Sequence, residues 1–531
     1  MSNIENQLFL KARWYTINNS IEKLVHRIYD PDAENSLPYK KLLSGTYYFL
    51  PLPEKIEIVG TQDFWTKLGH FLFWSAGLLR KEWNNPYVDH RSFPSPRSIY
   101  ATEFYLMFRS ANVDDSTWCS FRYSPTHHRL ELAKKKISQE EIKEACGLSD
   151  TDLQKVEFFM MINSNVWRMG CKYGDFAYRL ILLEAGHAIE NLIDLSGYYG
   201  WKANGQLIFI DQLLASFIGI DLVEEPVFSV FRFFSCNENS CDRKFRLKKD
   251  GVQYNVSAAH SKSVECRWQE VSGMHLEQCK EIRELEEQSR IHDFDTLHSI
   301  RMKLGGKVLS SKIQNNDISK RDTLEEKISD INSRHSGRGP FGISGPKKLI
   351  SQVEINCFFN NIHQTLRDLG SIVDCDIWPN IYMVALEVEG FQQGVYRMGE
   401  DLVPTLLNSE VSAEIMRNCY LDGNINFTNL PLHWFITADI EKYLTRFGQR
   451  GYRIAHLLAG IISQKILLAA GRIDLFARPI MAFDDLLSEK LLKIHHDNEV
   501  ILEQIIVGTN SYQGWQISTL PIARGGKVNG K

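Results

Sequence analysis

Three short clusters of side chains in this sequence could do chemistry. Lys172 and Tyr173, in RMGCKYGDFAYRL, set an amine beside a phenol just ahead of a long apolar stretch. A lysine serves as a base near neutral pH only where burial or a nearby cation lowers its pKa, and a phenol can relay or orient the proton. The pair therefore suits proton abstraction. Pro94-Ser95-Pro96-Arg97 forms a second cluster, a Pro-Ser turn before an apolar run that begins at Glu103. The third is Arg334-His335-Ser336-Gly337-Arg338, whose guanidinium and hydroxyl groups are the donors that grip phosphate oxygens. None of the three is specific alone. Arginines in a polar stretch ordinarily read as solvated surface, and Lys-Tyr is a common dipeptide. Their position decides.

Position comes from an internal repeat. YRLILLEAGHAIENLIDLSGYYG begins at Tyr178 and YRIAHLLAGIISQKILLAAGRID at Tyr452, and one offset of 274 pairs Tyr178 with Tyr452, Arg179 with Arg453, Ala185 with Ala459 and Gly186 with Gly460. The same offset pairs Gly174 with Gly448, Phe209 with Phe483 and Asp211 with Asp485. In both copies apolar residues recur at i, i+3, i+4 and i+7 over about five turns, the pattern of a long helix with a wide buried face. Strand-like runs precede each helix, EFYLMFRSA from Glu103 and NIYMVALEV from Asn380, each followed by a shorter one ending in SFRYSP or GVYRMG. Strands mixed with long helices in two matching halves predict an α+β fold whose copies pack against each other within one chain.

A chain of 531 residues exceeds what one core usually supports, so more than one unit is expected. Its net charge of −4 gives no broad basic face, which excludes a nucleic-acid partner held by phosphate neutralisation. Charges interrupt every apolar stretch near the start, and the ten cysteines are scattered, so free thiols and a cytoplasmic protein are expected. Ile454 to Ala470 contains His456, Gln464 and Lys465, which makes it a buried helix rather than a membrane span. From Cys236 to Asn332 the chain turns polar, with RELEEQSR and RDTLEEKISD reading as exposed helices. Cys236, Cys241, Cys266 and Cys279 there lack paired knuckles, and no metal site is expected. His187 and His456 read as core or cap residues, and His127-His128 as a solvated turn.

With Arg91, Pro94, Ser95, Glu103, Tyr105, Lys172, Tyr173, Gly174, Tyr178, Arg179, Ala185, Gly186 and His187 in this order, the segment from Phe71 to Phe231 resembles the SagB-type dehydrogenases. These are FMN enzymes of the nitroreductase superfamily that oxidise azolines to thiazoles and oxazoles in ribosomal peptide biosynthesis. The family also carries an Arg-Arg-Ser-x-Arg element that grips the flavin phosphate. The first half lacks it, and the second supplies Arg334, His335, Ser336 and Arg338 at the matching place. Conversely the second half lacks the Pro-Ser turn, running SIVDCDIWPNIYMV, and reads Arg446-Phe447 where the first has Lys-Tyr. In homodimeric relatives the flavin lies across the subunit interface.

The resemblance thus implies two tandem nitroreductase-like domains forming an intrachain pseudo-dimer: residues 1–235, a connector and start of the second copy at 236–332, and 333–531. It implies one FMN, held by Arg334, His335, Ser336 and Arg338 of the second half and by Pro94, Ser95 and Arg97 of the first. Met481 and Ala482, in PIMAFDD, would face flavin N5. Lys172 and Tyr173 would be catalytic, and the mirror site empty. The substrate implied is a peptide or peptide-like azoline, with a carrier or cyclodehydratase as associated partner. PSPRS in place of a glycine-rich turn, and His335 in the phosphate element, depart from the family. Two other functions fit the same residues: an NAD(P)H-dependent reductase of small molecules, and a cofactor-free scaffold in a biosynthetic complex.

Overall fold

The computed structural model describes residues 47–53, 63–82, 89–110, 117–236, 280–304, 322–337, 345–399, 401–494, 498–510 and 516–519. At its centre lie two long helices, Ala177–Ser196 and Arg450–Arg472. Both are apolar nearly all round, a pattern stable only when a helix is enclosed. The second is long and apolar enough to cross a membrane by length and composition, and its most apolar window is wholly buried inside the fold. The helices meet at glycine. A Cβ on Gly186 would lie 2.3 Å from the Leu457 carbonyl oxygen, and one on Gly460 would lie 2.3 Å from that of Leu183. Towards the start of each helix, the Tyr178 and Tyr452 rings stack 6.2 Å apart with planes 9° from parallel. Both contacts join residues that the repeat pairs at an offset of 274.

Each half supplies an antiparallel sheet. The first has seven strands, in the order Tyr47–Phe49, Arg129–Ser138, Thr117–Ser124, Thr102–Arg109, Val156–Ser164, Val227–Ser235, Trp201–Gln206. The second has six, in the order Pro404–Asn408, Gly394–Met398, Asn380–Ala385, Leu432–Asp439, Glu499–Gly508, Phe476–Ile480. Apart from the added Tyr47–Phe49 strand, the sequence ranks of the strands run identically across both sheets. Shorter helices repeat as well: Val166–Tyr173 matches Ile440–Phe447, and Asp211–Ile218 matches Asp485–Leu492, each residue for residue at the same offset.

Side chains alternate across the first sheet, as the two-residue period of a strand requires. Phe104, Leu106, Phe108, Phe158 and Met160 face the large core around the long helices, while Tyr105, Met107, Phe159 and Met161 face a smaller one under the Asp211–Ile218 helix. A third sheet joins the halves: Gln516–Ser518 pairs with Leu78–Glu82, which pairs with Asp89–Arg91. This small sheet carries Arg80 and Arg91 to the junction.

Two readings of polar segments change. The helix Lys280–Ser289, which includes most of RELEEQSR, buries Ile282, Leu285, Glu286 and Ser289 instead of lying exposed. Its Glu286 accepts hydrogen bonds from Tyr178 at 2.6 Å and Arg453 at 2.5 Å, so a charge that looks solvated in sequence is a paired charge in the core. Within the His127-His128 turn only His127 is exposed. His128 is buried, with Nδ1 2.9 Å from the Tyr123 hydroxyl and Nε2 3.0 Å from the Pro51 carbonyl oxygen. Cys241, Cys266 and Cys279 lie outside the described residues, and among the described residues no cluster could hold a metal ion.

Candidate functional site

The first-half part of the site is a turn and a helix end. Ser95 Oγ accepts from the Tyr100 amide at 2.7 Å, the Tyr100 hydroxyl accepts from the Arg91 amide at 2.8 Å, and Arg168 donates to the Tyr100 carbonyl at 2.7 Å. These bonds hold three side-chain-bearing residues in the left-handed region, with φ of 51° at Arg97, 53° at Ser98 and 51° at Tyr100. Lys172 and Tyr173 end the Val166–Tyr173 helix, which stops where Gly174 takes φ 56° and ψ −141°. Both side chains are half-buried. The turn and the helix end meet: the Arg97 guanidinium carbon lies 6.0 Å from the centroid of the Tyr173 ring.

In the second half, the chain leaves the Leu324–Ser333 helix at Arg334 and crosses the last turn of the long helix over Gly471. A Cβ at Gly471 would come within 2.8 Å of the Arg334 backbone nitrogen, so the crossing needs glycine. His335 is tied on both ring nitrogens, Nδ1 accepting from the Gly337 amide at 3.2 Å and Nε2 lying 3.0 Å from Asn510 Nδ2. Its carbonyl accepts from the Ala477 amide at 3.4 Å, and Arg478 donates Nε to the Ser336 carbonyl. Gly337, at φ 93°, makes room for Arg478, whose guanidinium a Cβ there would strike at 2.6 Å. The strand that carries Ala477 and Arg478 runs on into Met481 and Ala482, and Leu421 fixes that end by donating to the Ala482 carbonyl at 2.8 Å. His335 and Ser336 are thereby brought beside Ala477 and Arg478, on the strand that leads to Met481 and Ala482. Arg338 lies outside the described residues.

The parts meet at Arg334. Its Nη2 donates to the Arg91 carbonyl of the first half at 3.3 Å, and its own carbonyl accepts from Arg80 Nη2 at 3.1 Å. Glu82 is the carboxylate at this junction, 3.1 Å from Arg80 Nε and 3.3 Å from His90 Nε2. Burial brings Arg334 down to about 10, with the Arg80 guanidinium adding to the effect. Burial also lowers His90 to about 4 against the pull of Glu82, so the imidazole is neutral near pH 7. Arg334 is 2% exposed, and its Nε and Nη1, like Nη1 of Arg80, are buried with no hydrogen-bond partner among the described residues. Two guanidinium groups with spare donors against one carboxylate make a positive, under-satisfied cluster, the arrangement an anion completes.

Sequence reasoning missed Arg80, Glu82, His90, Tyr100 and Arg478. No local motif marks them: LLRKE and FARPI read as ordinary strands, and only the third sheet and the strand beside His335 carry their charges to the site.

The mirror position is built from the same elements and is taken up by the chain's own side chains. Leu207 and Ile208, the counterparts of Met481 and Ala482, are occupied: Asp374 accepts from the Leu207 amide at 2.5 Å, and Arg301 donates to the Ile208 carbonyl at 3.2 Å. Arg450 donates to the carbonyls of Leu207 at 2.6 Å and Ser289 at 3.1 Å, and to Asp211 at 2.7 Å. Arg446, in the place of Lys172, pairs with Asp376, and Phe447 is buried. The two halves keep a symmetric pair of bonds, Arg453 to the Val227 carbonyl at 2.9 Å and Arg179 to that of Ile501 at 3.0 Å. Around Arg453, residues of the 280–304 segment add Glu286 and Ser289.

Two proteins carrying the name putative nitroreductase are similar to this chain. The crystal structure of the one from Anabaena variabilis ATCC 29413 superposes with a TM-score of 0.71 at 18% identity, covering 94% of this chain and 99% of that one. The fold is nitroreductase-like. The other, MJ1384 of Methanocaldococcus jannaschii, is 26% identical over 133 residues, or 25% of this chain. The chain spans 64% of that curated relative's length. The Escherichia coli microcin synthetase McbBCD complex with truncated pro-MccB17 bound overlaps with a TM-score of 0.27 at 18% identity, over 40% of this chain and 75% of that one, too little to carry an argument. No protein-family model matches the chain.

Proposed function

We propose that this chain is an FMN-dependent dehydrogenase built from two tandem nitroreductase-like domains, with one composite flavin site between them. The observation that carries the reading is Arg334: a second-half guanidinium bonded to the first-half Arg91 carbonyl, with buried donors left over for an anion. Those donors suit the flavin phosphate, and Ser336, Arg338 and the turn at Pro94, Ser95 and Arg97 complete the set that would hold FMN. Met481 and Ala482 form the facing wall. Bound there, FMN supplies a two-electron acceptor.

The remaining work falls to the chain's own side chains. Lys172 takes the proton from the carbon next to the one oxidised, and Tyr173, fixed on one side by Arg97, orients it. The burial of the junction keeps water from the reacting atoms. The substrate proposed is a peptide or peptide-like azoline delivered by a cyclodehydratase or carrier in the cytoplasm, a reading that rests on the Lys-Tyr resemblance. The names of the two similar nitroreductases favour a second reading, a small-molecule reductase using NAD(P)H. Visible absorption of the purified protein tests the cofactor. A flavin band that denaturation releases as FMN supports the reading, and a colourless protein that takes up no added FMN overturns it. Anaerobic mixing with NAD(P)H separates the two readings, since only the reductase bleaches with the nicotinamide alone.

A further inference from the structure

Arg168 lies one turn before Lys172 on the helix Val166–Tyr173 and is buried. Its Nη1 donates to the Tyr100 carbonyl at 2.7 Å, and its Nη2 to Glu103 Oε1 at 2.9 Å. The next carbonyl, that of Ala101, accepts at 2.9 Å from the amide of Asn165, which caps the same helix. Helix and turn are therefore joined at two consecutive residues. Tyr100 is at φ 51°, with Arg97 and Ser98 before it at 51° and 53°. Side-chain-bearing residues persist there only where their surroundings over-determine them.

A chain of charges fixes the Arg168 guanidinium. Glu103 Oε2 accepts from Arg122 Nε at 2.8 Å, Arg122 Nη1 donates to Glu131 Oε2 at 3.0 Å, and Arg129 Nη2 donates to Glu131 Oε1 at 2.7 Å. Glu103, Arg122 and Glu131 are buried, and Arg129 is half-buried. The other half lacks this device. Lys442, 274 residues after Arg168, is exposed and pairs at 3.1 Å with Asp439, the cap of its own helix. Asn380 stands where Glu103 does, since Glu103 lies opposite Asn163 and Asn380 opposite Thr437, two residues that are themselves 274 apart. The ion pair is thus present in the half that has a Pro-Ser turn and a Lys-Tyr pair to hold together, and absent from the half that has neither.

We infer that Arg168, held by Glu103, is the positioning residue that locks the Lys172–Tyr173 helix end to the left-handed turn, so that Arg97 and Tyr173 move as one body. That this body serves flavin and substrate rests on the proposed function; the lock does not.

Hydrogen exchange by mass spectrometry on the full chain tests it, comparing wild type, Arg168→Gln, Arg168→Lys and Arg129→Ala. Arg168→Gln leaves Glu103 paired with Arg122, so no buried carboxylate is stranded. It should speed exchange about tenfold or more at both the Ser98–Tyr100 and the Lys172–Gly174 amides, while the central helix from Leu180 to Asn191 keeps its wild-type rates. Arg168→Lys, which keeps the charge but not the planar fork, should fall between the two. Arg129→Ala, at the far end of the chain of charges, should match wild type at both segments. A folded Arg168→Gln protein with wild-type exchange at either segment overturns the inference, as does loosening that runs along the central helix or that Arg129→Ala reproduces. Should Arg168→Gln not fold, Arg168→Lys decides: faster exchange at both segments supports the lock, and wild-type exchange at either overturns it. Flavin content is read on the same samples. Wild type without flavin would remove the proposed function and leave the exchange result to stand or fall separately, whereas a flavin-bound wild type should lose about tenfold or more in FMN affinity with Arg168→Gln and recover part of it with Arg168→Lys.

Discussion

The Arg334 guanidinium reaches across the two halves to the Arg91 carbonyl, 3.3 Å away and 243 residues distant in sequence. That bond uses one of its donors and leaves Nε and Nη1 buried without a protein partner among the described residues. Arg334→Ala should therefore weaken FMN binding about ten- to hundredfold, the loss expected for a charge-assisted hydrogen bond of roughly 1.5–3 kcal/mol. Arg338→Ala should act in the same direction. Arg446→Ala removes an arginine already paired with Asp376 and should leave affinity unchanged. Titration of the apoprotein with FMN, followed by quenching of flavin fluorescence, gives all three constants; equal affinities would contradict the assignment of the phosphate element.

Lys172 and Tyr173 stand on the Arg97 side of the site, at the end of a first-half helix, and are proposed to act on the substrate. Lys172→Ala and Tyr173→Phe should give folded, yellow protein. Reduction of its flavin by substrate, in stopped flow, should fall about 10²–10⁴-fold, the usual contribution of a positioned acid or base. Unchanged reduction rates would remove the base assignment and favour the small-molecule reductase.

The crossing of the long helices admits no side chain. Gly460→Ala places a methyl group 2.3 Å from the Leu183 carbonyl oxygen, against backbone that cannot move without displacing the opposite helix. Overpacking of this kind should cost roughly 1–3 kcal/mol, read as a lower thermal midpoint, and Gly460→Val should cost more. Gly186→Ala, which meets the Leu457 carbonyl at the same distance, should match Gly460→Ala. Unchanged midpoints would contradict the close approach.

Much of this architecture is legible in the sequence because duplication writes each element twice. The offset that pairs Gly186 with Gly460 also aligns the Val166–Tyr173 and Ile440–Phe447 helices, so the register of the repeat alone points to the central contact. The clusters at Ser95, Tyr173 and Arg334 are legible through their position in that repeat. What stays hidden is long-range. Arg80 and Arg478 reach the junction through strand pairing and packing over tens to hundreds of residues, and Glu286 looks like a solvated charge until Arg453 and Tyr178 close on it. The filling of the mirror site depends on residues 280–304, a segment with no counterpart in the repeat to reveal where it docks.

His128 gives the fold a defined acid sensitivity. Burial lowers it from 6.5 to about 4, partly offset by its bond to the Pro51 carbonyl. A base whose folded pKa is depressed is neutral in the fold and takes up a proton on unfolding, so its contribution is complete above pH 6.5 and is lost as pH falls towards 4. The loss should approach roughly 3 kcal/mol over that window. His128→Gln should flatten the fall in stability between pH 6.5 and 4 by up to about one proton, measured by urea unfolding at a series of pH values. An unaltered pH slope would show that His128 is not the group responsible.

The central claim is that the duplicated fold keeps one flavin site and has filled the other with its own Asp374, Arg301 and Arg450. Flavin released by denaturation and quantified against chain concentration, after saturation with FMN and removal of the excess, tests it most directly. The account predicts one FMN per chain. A ratio near two would mean that the mirror position also binds flavin and would contradict it.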